Sequence, residues 1–93
     1  MTEPFIFDEF TVRPQVIDGI QRYVQHGVKP GHFLTAVLCN DLRESINRAD
    51  DDNRQNLIGV VAYCMWEIPG PCWGSKEKVD AWLRRFSPSV APS

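Results

Sequence analysis

The side chains able to do chemistry in this sequence are few, and their spacing suggests binding before catalysis. His32 follows Pro30-Gly31, where a helix is expected to start. Free backbone N–H groups, a glycine permitting close approach and an imidazole can together hold an anion at such a place, although Pro-Gly is also ordinary turn chemistry. Lys29, Arg43, Arg48 and Arg54 are the cations such a pocket would recruit, with a solvated helix surface as their alternative fate. Ser45 or Ser75 with His32 as base would be the nucleophilic pairing to consider, but nothing in the spacing supplies a third group to orient the imidazole. The consecutive carboxylates Asp50, Asp51 and Asp52 are more economical as helix caps than as an acid–base pair. Three tryptophans, Trp66, Trp73 and Trp82, offer stacking or hot-spot surface. Of these, Trp82 has core spacing and Trp73, beside Gly74, is expected to be partly exposed. Cys39, Cys64 and Cys72 with His26 and His32 lack the close ligand pairs of a structural zinc site, so no metal, cofactor or disulfide is expected.

The elements that must position these groups follow from periodicity and punctuation. Pro14 suits the first helical position and Gly27 a helix stop, so a first helix runs from Arg13 to His26, with Val16, Ile17, Ile20, Tyr23 and Val24 on one face. Gly19 within it suggests close approach of another backbone. A second helix is expected from Gly31 or His32 to Ala49, burying Leu34, Val37, Leu38, Leu42 and Ile46 and turning Asn40, Arg43, Glu44 and Asn47 outward. On that helix Asp41 falls among the apolar positions, where a carboxylate must be paired. It then either anchors the Cys72-to-Ser75 loop or the start of another helix, or serves a ligand. A third helix capped by Asp50 to Asp52 leads into Leu57–Trp66, apolar on every side except at Gly59, and is expected to be central or else to use its spare face for self-association. Ser75 caps a fourth, with Val79, Trp82, Leu83 and Phe86 at core spacing.

Composition narrows the function classes. Within 93 residues, 43% hydrophobic and 24% charged describe an ordinary globule. Ten Lys/Arg against twelve Asp/Glu give a net charge of −2, which disfavours generic nucleic-acid binding. No stretch approaches a membrane span, and the acidic, proline-containing start is unlike a signal peptide, so the cytoplasm is the expected compartment. The expected fold is all-α: a compact bundle of about four helices over residues 11–87, with an extended arm at 1–10 whose Phe5, Ile6, Phe7 and Phe10 pack on their own domain or a neighbour, and a frayed tail at 88–93.

The strings Gly27-Val28-Lys29-Pro30-Gly31-His32-Phe33-Leu34-Thr35-Ala36-Val37-Leu38-Cys39-Asn40-Asp41-Leu42, then Arg48-Ala49-Asp50 with Asn53, then Pro71-Cys72-Trp73-Gly74-Ser75, resemble a group of small phage and prophage proteins. Their pattern is G-x-x-P-G-x-F-L-x-A-V-L-x-N-D-L, A-D-x-x-N and C-W-G-S. The likeness spans about Ile17 to Trp82 and leaves the positions of His32 and Cys39 free. It implies a setting more than a chemistry: phage accessory proteins of this size antagonise host defence by sequestering a nucleotide signal or occluding a host protein. Under that resemblance the expected function is non-enzymatic binding of a small phosphate-bearing ligand in the host cytoplasm, by a homo-oligomer. Gly31, His32, Asn40, Arg43 and Trp73 would form the pocket, and Asp41, Asp50, Asn53 and Ser75 would be structural polar groups. The alternative is an inhibitor or adaptor that covers a host or phage protein, using the arm or an exposed helix face; a small DNA-binding regulator is the third reading.

Overall fold

A computed structural model describes residues 3–86 of the chain, and the expected tail at 88–93 lies outside them. The first departure from expectation is at the N-terminus. Apolar residues on both sides of Asp8-Glu9 close into an antiparallel hairpin, β1 (Phe5–Phe7) with β2 (Phe10–Val12), in the register Phe5↔Val12, Ile6↔Thr11 and Phe7↔Phe10. Asp8 takes the left-handed conformation, φ 54°, that the tight connection needs. The fold is therefore mostly helical, not all-α, and the segment expected to be an extended arm is a strand pair packed on its own domain. Phe5 meets Tyr63 edge-on at 5.2 Å between ring centroids, Phe7 lies 5.2 Å from Trp66, and Val12 is fully buried.

Helix α1 (Pro14–His26) begins at the expected proline and buries Val16, Ile17, Ile20 and Tyr23. It ends at Gly27 with φ 67°, where the Gly27 N–H donates to the Tyr23 carbonyl; this is the usual reason for glycine after a helix. A side chain at Gly27 would also collide with Phe86. At Gly19 the neighbour in contact distance is the Leu34 side chain, 3.1 Å from an added Cβ, so the approach there is by a side chain and not by the backbone that the sequence suggested.

The helix expected over 31–49 is two helices, α2 (His32–Leu38) and α3 (Leu42–Arg48). Asn40 breaks it by adopting φ 62°, and the Asp41 N–H donates to the Ala36 carbonyl at 2.8 Å, closing the last turn. Asp41 then begins α3: its Oδ1 accepts the Glu44 N–H at 3.2 Å. The apparent misfit of a carboxylate on an apolar face came from projecting one continuous helix through a corner. Once the axis turns, Asp41 is exposed and caps.

Asp50 caps the short α4 (Asp51–Gln55) through the Asn53 N–H at 2.8 Å, and Asn56 separates it from α5 (Leu57–Glu67). Helix α5 is central on two sides only. Gly59, Val60, Ala62, Tyr63 and Cys64 are buried, with Phe10 and Val12 seated on Gly59, whereas Ile58, Met65 and Trp66 are more than half exposed. The expected all-round burial of this helix does not hold, because the hairpin covers one flank and leaves its neighbour open. A 3-10 turn at Gly70–Cys72 then leads to α6 (Lys76–Arg84), capped by Ser75 Oγ accepting the Lys78 N–H at 3.1 Å.

Two buried polar contacts tie these pieces together. The Tyr23 hydroxyl donates to the Cys72 carbonyl at 2.6 Å, fixing α1 to the turn before α6. The Gly74 N–H donates to the Leu38 carbonyl at 2.7 Å, fixing the same loop to the end of α2. Trp82, half-buried, adds a bond from Nε1 to the Val24 carbonyl at 3.2 Å. No helix among the described residues is long and apolar enough to cross a membrane.

Candidate functional site

An open cleft of about 910 Å³ is walled by the Lys29-to-His32 loop and α2 on one side, the α2–α3 corner at one end and the first turns of α6 opposite. Its size is that of small-molecule sites in general. The tertiary contact that makes it is the Gly74–Leu38 bond, which holds the N-terminus of α6 against the end of α2. Cys39 and Val79 lie in the lining between the walls.

Of the pocket residues expected from sequence, Gly31, His32 and Asn40 line the cleft, while Arg43 and Trp73 do not. Arg43 is exposed on α3 outside it. Trp73 is half-buried and faces a separate hollow of about 80 Å³, shared with Val37, Leu57 and Val61, with Asn40 on the ridge between hollow and cleft. The aromatic wall therefore belongs to another surface, and among the described residues His32 carries the one aromatic ring in the cleft lining. The expected anion cradle at the helix start is also slighter than the sequence suggested. Helix α2 has only seven residues, and a Cβ on Gly31 would meet open space, so no close approach requires the glycine.

Asp41 lines the cleft from the corner while its carboxylate caps α3. Asp50 and Asn53 lie on α4, away from the lining; Asp50 caps that helix and pairs with Arg13 at 3.2 Å. Ser75 caps α6 beside the cleft. Lys76 and Asp80 carry no local mark of a site, yet both line the cleft. Their i,i+4 spacing is legible, but that this helix face meets α2 is not.

The charges are nearly balanced. Lys29, Arg48 and Lys76 face Asp41, Glu44 and Asp80. Lys76 Nζ meets Asp80 at 2.8 Å and Arg48 Nε meets Glu44 at 3.2 Å, whereas Lys29 and His32 form no hydrogen bond or ion pair among the described residues. The bond from Lys76 holds the Asp80 carboxyl below the usual carboxylate range, with Arg84 and Lys29 adding to the effect. Burial pushes the Cys39 thiol up, and Asp80 adds to this against the opposing pull of Lys76 and Lys29. A thiol so held is a poor nucleophile. Cys64 and Cys72 are buried free thiols in the core, and no group of three metal-ligating side chains occurs among the described residues.

No family model matches the chain, and neither a curated protein nor a solved structure is found to match it.

Proposed function

We propose that the protein is a non-enzymatic, phage-type accessory protein that antagonises host defence in the host cytoplasm by sequestering a small phosphate-bearing, nucleotide-derived ligand in the cleft between α2, α3 and α6. The observation that carries this reading is the cleft itself, large enough for a nucleotide-sized molecule and lined by lysines and an arginine from three separate elements. With no indole in its lining, recognition is directed at phosphate and sugar, and a base would have only the His32 ring to stack on. Calorimetry of the full chain against cyclic nucleotides and ADP-ribose derivatives tests the proposal. Saturable heat, lost when Lys76 and His32 are replaced by alanine, is the expected result; absence of heat across the panel, with no rescue in defence assays, rejects it.

A second reading, occlusion of a host or phage protein, is favoured by a different observation. Leu42 and Ile46 on α3, and Ile58 and Met65 on α5, are exposed at 65, 43, 55 and 59%. Leu42 also lines the hollow shared by Leu57, Val61 and Trp73, and exposed apolar surface of this kind marks interaction sites. The same face is where a homo-oligomer would form. Light scattering of the wild type and of Met65→Glu separates the outcomes: a dimer that dissociates on substitution assigns the face to self-association, and a monomer in both leaves it for another protein.

A further inference from the structure

Two lysines from different parts of the chain line the same cleft. Lys29 comes from the loop between α1 and α2, and Lys76 from the first turn of α6. One turn along α6, Asp80 takes Lys76 Nζ at 2.8 Å and also lies within electrostatic reach of Lys29, and both lysines act on the Cys39 thiol. The remaining carboxylates of the cleft are engaged elsewhere, Asp41 Oδ1 by the Glu44 N–H and Glu44 by Arg48. Asp80 thus answers both ammonium groups, while Lys29 makes no ion pair of its own among the described residues.

From this geometry we infer that Lys29 and Lys76 form a phosphate subsite in the cleft, with Asp80 as an internal competitor that must yield Lys76 to the incoming phosphate. The inference rests on the ligand-binding reading above and specifies which part of the ligand is held and by what. The exchange is chemically reasonable. An exposed i,i+4 ion pair on a helix is weak, whereas a phosphate brings roughly −1.5 to −2 charge and several acceptor oxygens, enough to engage both lysines at once. Asp80 keeps the Lys76 ammonium oriented along α6 and, by its charge, discourages carboxylate ligands that would bring only one negative charge.

The test is titration of the full chain with inorganic pyrophosphate, followed by amide NMR shifts and by calorimetry at low salt. Shifts should cluster at residues 29, 39, 76 and 80. Lys29→Ala and Lys76→Ala should each weaken binding roughly tenfold, and Asp80→Asn should strengthen it by about threefold or more. A gain on Asp80→Asn is a result that damage to the fold cannot mimic, and Glu67→Gln, the same charge change at the end of α5 outside the cleft lining, should leave affinity unchanged. Equal gains from both substitutions, or pyrophosphate binding indifferent to both lysines, overturn the subsite. If a nucleotide-derived ligand binds with an affinity independent of Lys29 and Lys76, the subsite is wrong while sequestration in the cleft stands. If neither pyrophosphate nor any member of the ligand panel binds, both are wrong.

Discussion

Tyr23 shows how much a single residue can hold in a domain this small. Its ring is fully buried among the apolar residues of the core and its hydroxyl donates to the Cys72 carbonyl, joining the first helix to the loop that positions the last. Tyr23→Phe keeps the packing but strands a buried carbonyl, so a loss of about 1–3 kcal/mol is expected in urea unfolding. Asp41 works by a weaker and more local bond. Removing its cap with Asp41→Ala should cost about 1 kcal/mol, and since Asp41 also lines the cleft, the same variant should change ligand affinity without disturbing the Lys76–Asp80 pair. This pair of effects was partly legible in the sequence. Asn40-Asp41 followed three residues later by Glu44 is a helix stop, a cap and a capping-box acid in succession, but the apolar stripe running through Leu38, Leu42 and Ile46 argued for continuity and won. Beyond the corner the stripe does not stay buried, since Leu42 and Ile46 are exposed at 65 and 43%, and periodicity alone does not register that the axis turned.

Among the elements, the hairpin and α5 are the pair that sequence reasoning separated and the structure unites. Three aromatic residues and one valine of the hairpin cover α5: Phe5 on Tyr63, Phe7 on Trp66, and Phe10 with Val12 on Gly59. The Thr11 N–H donates to Asn56 Oδ1 at 2.8 Å, and Arg13 pairs with Asp50 and Asp52 at 3.2 and 2.9 Å, so the strand pair is tied to α4 as well. A chain beginning at Arg13 should therefore lose more than about 3 kcal/mol of stability, as expected for uncovering a buried valine and a partly buried phenylalanine. Thermal denaturation of the truncated chain measures this loss, and a melting temperature equal to that of the full chain would show the hairpin to be a dispensable arm. The apolar residues of 5–12 are legible as a packing arm, but three residues per strand are too few for a period-two pattern to show. Glycine at 59 was similarly visible as an interruption, while its cause, a strand pair lying across that helix face, is a contact nearly fifty residues away in sequence.

At the scale of the whole molecule, the buried thiols and phenols set an alkaline limit. Burial pushes the Cys64 thiol up to about 12 and also raises Cys72, Tyr63 and Tyr23. In the unfolded chain these groups ionise near their ordinary values, about 8.5 for a thiol and 10 for a phenol. The unfolded state therefore gains charge that the folded state does not, so their contribution to stability is complete below about pH 8.5 and declines as pH rises toward 12. Urea unfolding between pH 7 and 11 should show that decline, and Cys64→Ala should make it shallower; a flat profile would mean that these groups are open to solvent. Local pattern was enough to show a mostly helical chain, where α1 and α6 begin and that Gly27 stops α1. These are properties of local backbone preference, which acts within a few residues. Packing of the whole chain was needed to turn it at Asn40, to lay the hairpin on α5, and to keep Trp73 and Arg43 out of the cleft that Lys29, His32, Lys76 and Asp80 share. Each of those outcomes depends on which helix faces meet, and contacts such as Gly74 with Leu38 and Tyr23 with Cys72 join positions whose adjacency no local spacing encodes.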